Sequence, residues 1–224
     1  MRSKAQGLSR PEFVLAADDS RLDNVVLINL HPRTRDKCAE ILSGLQKKQK
    51  SINPKYFYDS RGSGLFEQIT GLPEYYPTRT ERQILKCNAR AMAESCGRKC
   101  VLIEPGSGSS EKVRLLLDDL KPAAYVPMDI SADFLKQSAI QLAEEYPWLK
   151  IHAVCTDFSK QEKEPDWLPA GKRVVFYPGS TLGNMRPAEA SGFLRKLGHW
   201  LDQDGGVLIG IDMHKSTRVL EAAY

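Results

Sequence analysis

The sequence predicts an α/β protein: a parallel sheet with helices on both faces, preceded by a helical, loop-rich section. Three observations carry that prediction. From Val101 onward, short apolar runs recur at residues 101–103, 124–128, 151–154, 174–177 and 207–211. Between them, apolar residues fall at helical spacing, so strand and helix alternate as in repeated βαβ units. The ends of successive strands also carry glycine, acidic or hydroxyl residues, and ligands of such sheets bind at the carboxyl ends of the strands.

Taken in order, residues 1–24 are polar and read as a lead-in, and Val25–Leu30 reads as a short strand. Residues 35–47 bring Ile41, Leu42 and Leu45 to one helical face. Residues 53–80 are rich in aromatics, Gly and Pro, too irregular for one long element. Helical spacing returns over 80–94 through Ile84, Leu85, Ala89 and Met92. These segments form an expected N-terminal section, 1–98, ahead of a sheet domain, 99–224. Within the latter, one helix is expected around Val113, Leu116, Leu117 and Leu120. A second holds Leu135, Ala139, Leu142, Ala143 and Tyr146, with Ser131 as N-cap and a stop at Pro147. The third holds Phe193, Leu194, Leu197, Trp200 and Leu201, with Pro187 at its first position and Asp204-Gly205-Gly206 ending it.

The composition narrows the function classes. A hydrophobic share of 42% over 224 residues excludes intrinsic disorder. The formal charge of +4 comes from interspersed signs, with Lys47-Lys48-Gln49-Lys50 as the one basic cluster. No nucleic-acid footprint is therefore expected. Met1-Arg2-Ser3-Lys4 leads into polar residues, so neither a secretory leader nor a membrane span is expected. Five cysteines without a C-x-x-C pair and four scattered histidines argue against a metal site or a disulfide framework. A soluble, cytoplasmic, monomeric protein is expected.

The first strand end reads Glu104-Pro105-Gly106-Ser107-Gly108-Ser109-Ser110-Glu111-Lys112. Its Gly-x-Gly turn lets a ligand approach the backbone, but Glu111 stands where the dinucleotide fingerprint has its third glycine. Glu104 suits a cationic ligand group. The second strand end carries Asp129, about 20 residues beyond the glycine turn, where an acid holds ribose hydroxyls or else caps a helix. The third carries Asp157-Phe158, which can address an exocyclic amine and an adenine ring or form an ordinary loop. The fourth carries Gly179-Ser180-Thr181-Leu182-Gly183-Asn184, a substrate loop or a plain turn. Together, an acid before the turn, a ribose acid and no pyrophosphate seat point to S-adenosylmethionine rather than NAD.

Six strings then resemble one family, the histidine-specific S-adenosylmethionine-dependent methyltransferases. They are FYDSRGSGLFEQITGLPEYYPTRTE, EPGSGSSEK, VPMDIS, TDF, FYPGSTLGN and LIGIDMHKSTRVLEAAY, spread over residues 53–224. The resemblance implies a class I methyltransferase, Rossmann-like sheet and trimethylation of the α-amino group of L-histidine to hercynine, in ergothioneine biosynthesis. It implies that Gly106, Gly108, Lys112, Asp129, Asp157 and Phe158 contact S-adenosylmethionine. Tyr58 would lie near the reacting amino group. Tyr75, Gly179, Asn184 and Tyr224 would line the amino-acid pocket, with Tyr58 and Asn184 as the catalytic pair. The N-terminal section would contribute to that pocket.

One feature departs from the family pattern. The chain ends at Tyr224, where a helix is expected to begin after the fifth strand. Class I methyltransferases usually have two further strands, and in this family that segment reads the imidazole. A C-terminally truncated version, with a pocket lacking one wall and weak or no histidine methylation, is therefore expected. Two alternatives stay open: a related methyltransferase acting on another amino acid or amine, and an inactive cofactor-binding fragment.

Overall fold

The computed structural model of the chain describes residues 12–14, 23–30, 34–57, 59–160 and 168–223. In chain order the strands are β1 (Glu12–Val14), β2 (Val25–Asn29), β3 (Val101–Pro105), β4 (Ala124–Asp129), β5 (Ile151–Cys155), β6 (Arg173–Tyr177) and β7 (Gly206–Ile209). The helices are α1 (Thr34–Gln46), α2 (Ser60–Thr70), α3 (Tyr76–Cys96), α4 (Glu111–Leu120), α5 (Ala132–Glu145), α6 (Pro187–Trp200) and α7 (Thr217–Ala223). All seven strands form one sheet in the order β1-β2-β5-β4-β3-β6-β7, parallel except for β1.

Each central strand is buried on both faces, which explains its continuous apolar run. Alternation then divides the core. Leu102, Tyr125, Ala153 and Phe176 point to one face and meet Leu85, Ala89, Leu116, Leu117 and Leu142 of α3, α4 and α5. Ile103, Val126, Val154 and Val175 point to the other and meet Phe193, Leu197 and Trp200 of α6. The helices begin and end where local chemistry dictates. Pro77 lies in the first turn of α3, Gly97 (φ +84°) ends it, and Pro187 starts α6 with the Glu189 carboxylate accepting the Arg186 amide at 2.9 Å.

Two sequence expectations are corrected. The section 1–98 is not separate from the sheet, because β1 and β2 belong to it. β2 lies parallel to β5 with Val25 opposite Ile151, and Asn24 fastens the join. Its carbonyl accepts the Ile151 amide at 2.8 Å, and its side-chain amide donates to the Leu149 carbonyl at 3.0 Å. The helix expected over 80–94 is longer, starting at Tyr76 inside the aromatic stretch, and its inner face is Leu85, Ala89, Ala93 and Cys96 while Ile84 is exposed. Helix α1 forms as expected, with Leu42 and Leu45 exposed. No described helix is long and apolar enough to cross a membrane.

Strand order reverses at β3, since β4 and β6 flank it on opposite sides. A crevice opens at such a point because the following loops diverge to the two faces. The four informative strand ends all border that crevice.

Candidate active site

The crevice has a volume of about 1090 Å³ and reaches from Asn53 and Lys55 to Asp212. Its floor is the turn after β3. The Gly106 and Ser107 amides donate to the Met128 carbonyl at 2.7 and 3.0 Å, seating the turn on the end of β4. Gly106 (φ +71°) and Gly108 (φ +54°) both occupy the left-handed region that favours glycine. A side chain at Gly106 would approach the Phe158 ring at 3.7 Å, whereas Gly108 faces open space. The turn thus presents bare backbone to the crevice.

Asp129 knits these loops together. Its Oδ2 accepts the Gly108 amide at 3.2 Å, its Oδ1 accepts the Ser131 amide at 2.9 Å, and its carbonyl accepts the Thr156 amide at 2.9 Å. Burial holds its carboxyl above the usual range, against those amide bonds. The sequence offered a ribose acid or a helix cap for Asp129. The carboxylate does anchor the start of α5, while still lining the crevice.

Glu104 differs from a free anion at a strand end. It is 2% exposed and accepts a hydrogen bond from the Tyr125 hydroxyl, which also reaches Ser110 Oγ at 3.1 Å. Burial pushes its carboxyl up to about 8, against the Tyr125 bond and the Lys112 charge. At neutral pH the group is mostly protonated.

Asp157 is buried and already engaged. Lys55 Nζ meets its Oδ2 at 2.8 Å and the Glu40 carboxylate at 2.8 Å, while Ser159 donates to Oδ1 through its amide at 3.2 Å and its hydroxyl at 2.5 Å. Burial works against the Lys55 charge, but the bonds to Asp157 and Glu40 outweigh it and hold Lys55 above the ordinary lysine range. Lys55 therefore ties the N-terminal section to the third strand end. Replacing Asp157 by Ala leaves Lys55, whose side chain is 16% exposed, with Glu40 alone. The expected cost is about 1–3 kcal/mol in denaturant unfolding, with partial recovery on adding Lys55→Met. Equal midpoints for wild type and Asp157→Ala would remove this tie from the account of stability.

On the opposite wall, Tyr75 precedes α3 with its ring edge-on to Phe66, centroids 6.3 Å apart. Gly179 (φ +91°) and Asn184 lie in the loop after β6, Asn184 ending a 3-10 turn. Ser180 (φ +56°) accepts the Asp212 amide on Oγ at 2.7 Å, pinning this loop to the segment after β7. Asp212 in turn accepts from Tyr76 Oη at 2.5 Å and from Lys215. The Lys215 and Tyr76 hydrogen bonds keep the Asp212 carboxyl below the usual range. Tyr58 and Tyr224, both expected in the pocket, lie outside the described residues.

The structure brings the glycine turn, Lys112, Asp129, Phe158, Gly179 and Asn184 around one crevice. Sequence reasoning missed Lys55 and Glu81 there, and Tyr125, which is buried behind Glu104. Their partners lie far away in the sequence, and no spacing rule marks them. Gly106 and Gly108 without side chains, a buried acid at the ribose position and Phe158 beside the turn fit an adenosine-bearing cofactor.

Comparisons agree with that chemistry. A family model described as histidine-specific methyltransferase, SAM-dependent, matches residues 37–224. The histidine N-alpha-methyltransferase of Mycolicibacterium smegmatis is 42% identical over 190 residues, covering 83% of this chain and 58% of that protein. The histidine N-alpha-methyltransferase of Mycobacterium tuberculosis is 43% identical over 190 residues, with the same coverages. The chain thus spans little more than half the length of these relatives. Magnesium protoporphyrin IX methyltransferase from Synechocystis, solved with bound SAM, shares the fold at 17% identity and a TM-score of 0.50, over 69% of this chain and 75% of that one. The match over residues 37–224 and the 42–43% identity to two histidine N-alpha-methyltransferases lead to one conclusion: this chain belongs to the SAM-dependent, histidine-specific methyltransferases.

Proposed function

We propose that this chain is an N-methyltransferase acting on the α-amino group of L-histidine, giving hercynine on the third transfer. The observation that carries the reading is the family match over residues 37–224, together with 42–43% identity to two histidine N-alpha-methyltransferases. The crevice supports it, with cofactor features on the β3–β5 side and a polar, glycine-containing loop on the β6 side.

In this reading Gly106, Gly108, Asp129, Asp157 and Phe158 hold S-adenosylmethionine, with Glu104 buried beneath the turn. Bound there, the cofactor supplies an electrophilic methyl group on a sulfonium. The chain's own contribution is positioning, which in well-oriented systems is worth up to ~7–11 kcal/mol. Asn184 and Tyr58 orient the amino nitrogen, while Tyr75, Gly179 and Tyr224 line the amino-acid pocket with Asn184 and hold the α-amino and α-carboxylate groups. The nucleophile is the neutral amine, since an ammonium has no lone pair. The proton of the amine leaves to water.

The test is mass spectrometry for mono-, di- and trimethylhistidine after incubation with S-adenosylmethionine and histidine. Methylated histidine is the expected product. Cofactor binding with no methylated histidine would assign the chain to cofactor binding alone. Asn184→Ala should lower methyl transfer at least ~10-fold while leaving the S-adenosylhomocysteine dissociation constant within about 2-fold. Equal losses in both would mean that the loop had collapsed.

A further inference from the structure

Glu81, on the second turn of α3, is a charged group in the crevice to which the proposed function gives no role. Its Oε2 meets Lys112 Nζ at 2.6 Å and its Oε1 accepts the Gly179 amide at 2.7 Å. The three residues come from different parts of the chain: α3, the start of α4 just past the glycine turn, and the loop after β6. Two glycines clear the space. A side chain at Gly210 would place its Cβ 2.1 Å from Glu81 Oε1, and one at Gly179 would come within 3.3 Å of Lys112 Nζ. The side chains of Glu81 and Lys112 are 17% and 24% exposed, so solvent screens this pair less than a surface pair.

Resting on the cofactor reading, we propose that Glu81 is a positioning residue that aims Lys112 at the cofactor and sets the β6 loop against it. An ammonium has three N–H donors, and Glu81 engages one. The others remain for the carboxylate of S-adenosylmethionine, its one anionic group. A lysine on a flexible four-carbon stem loses rotamer freedom when it grips a ligand, and a partner that already holds it removes part of that cost. Through its other oxygen Glu81 fixes the Gly179 amide, so the cofactor-side lysine and the substrate-side loop share one anchor. Glu104 and Asp129 also face this region, but their carboxyls are taken by Tyr125 and by backbone amides.

The test is calorimetric titration of S-adenosylhomocysteine into wild type, Glu81→Gln, Lys112→Ala and the double variant. Glutamine keeps the shape and an acceptor for Gly179 but removes the charge that holds Lys112. Glu81→Gln should weaken binding about 10-fold when Lys112 is present and less than about 2-fold when it is Ala, since the charge-assisted bond is what it removes. Gly210→Ala, which displaces the carboxylate without changing its charge, should weaken binding in the same direction. An equal loss in both Lys112 backgrounds, or unchanged or tighter binding by Glu81→Gln, would overturn the proposal. So would unchanged binding by Gly210→Ala. Wild type that fails to bind S-adenosylhomocysteine would overturn the cofactor reading itself, a result distinct from a wild type that binds and a Glu81 variant that binds equally well.

Discussion

Asp129→Ala is expected to weaken S-adenosylhomocysteine binding by roughly 10- to 100-fold, the largest binding effect among these substitutions. A hydrogen bond to a charged group contributes about 1.5–3 kcal/mol, and 1.4 kcal/mol is tenfold in affinity. The side chain has two tasks here. It holds the Gly108 and Ser131 amides at 3.2 and 2.9 Å, and its edge faces the crevice where ribose hydroxyls would donate. Asp129→Asn separates the tasks, because the amide keeps one acceptor for the loops but loses the charge. Calorimetry is expected to rank wild type above Asn and Asn above Ala. An unchanged dissociation constant for both variants would leave Asp129 as a loop anchor alone.

The second large effect concerns stability against pH. The Glu104 carboxyl, buried to 2% exposure, ionises near 8 in the folded protein and at its ordinary value of 4.5 when unfolded. Below 4.5 it is protonated in both states. As pH rises from 4.5 to 8 the unfolded chain loses this proton while the folded chain keeps it, so the folded state binds more protons and becomes less stable. The slope approaches roughly 1.4 kcal/mol per pH unit within that window and vanishes above it. Glu104→Gln removes the titration and retains an acceptor for the Tyr125 hydroxyl. Denaturant unfolding at pH 5 and pH 8 should show the variant gaining several kcal/mol on wild type at the higher pH, on the order of the integrated slope. Parallel profiles for the two proteins would mean that Glu104 is ionised in the folded state after all.

Helix propensity, glycine placement and residue period made much of the site legible before any coordinates. The turn at Gly106 and Gly108 follows an apolar strand run and precedes Val113, Leu116 and Leu117 at helical spacing, so its place at a strand end was dictated locally. Asp129, Asp157 and Asn184 were singled out by the same logic, each at the end of a buried run or in the loop after it, and all three line the crevice. Their partners were not. Lys55 is 102 residues from Asp157, and Glu81 is 98 residues from Gly179, and a contact between such distant residues leaves no trace in local pattern. Glu104 illustrates the electrostatic side. Its position was evident, but its ionisation depends on burial beneath the turn and on Tyr125, which only packing determines.

What the sequence by itself determined is the alternation of β3 through β7 with α4, α5 and α6. Strands buried on both faces must be apolar throughout, and helices packed on them must be apolar on one stripe. It also pointed to the family, through motifs spread over residues 53–224, and the family match over residues 37–224 agrees. Only the tertiary structure decided that Val25–Asn29 joins the sheet beside β5, because strand pairing is made by backbone groups that every residue carries and that no side chain announces. It alone decided, for the same reason of distance in sequence, that Glu81 stands between Lys112 and Gly179. It alone set the Glu104 proton as well, since a carboxyl's affinity for a proton follows from the water it has lost, and burial is a property of the folded chain.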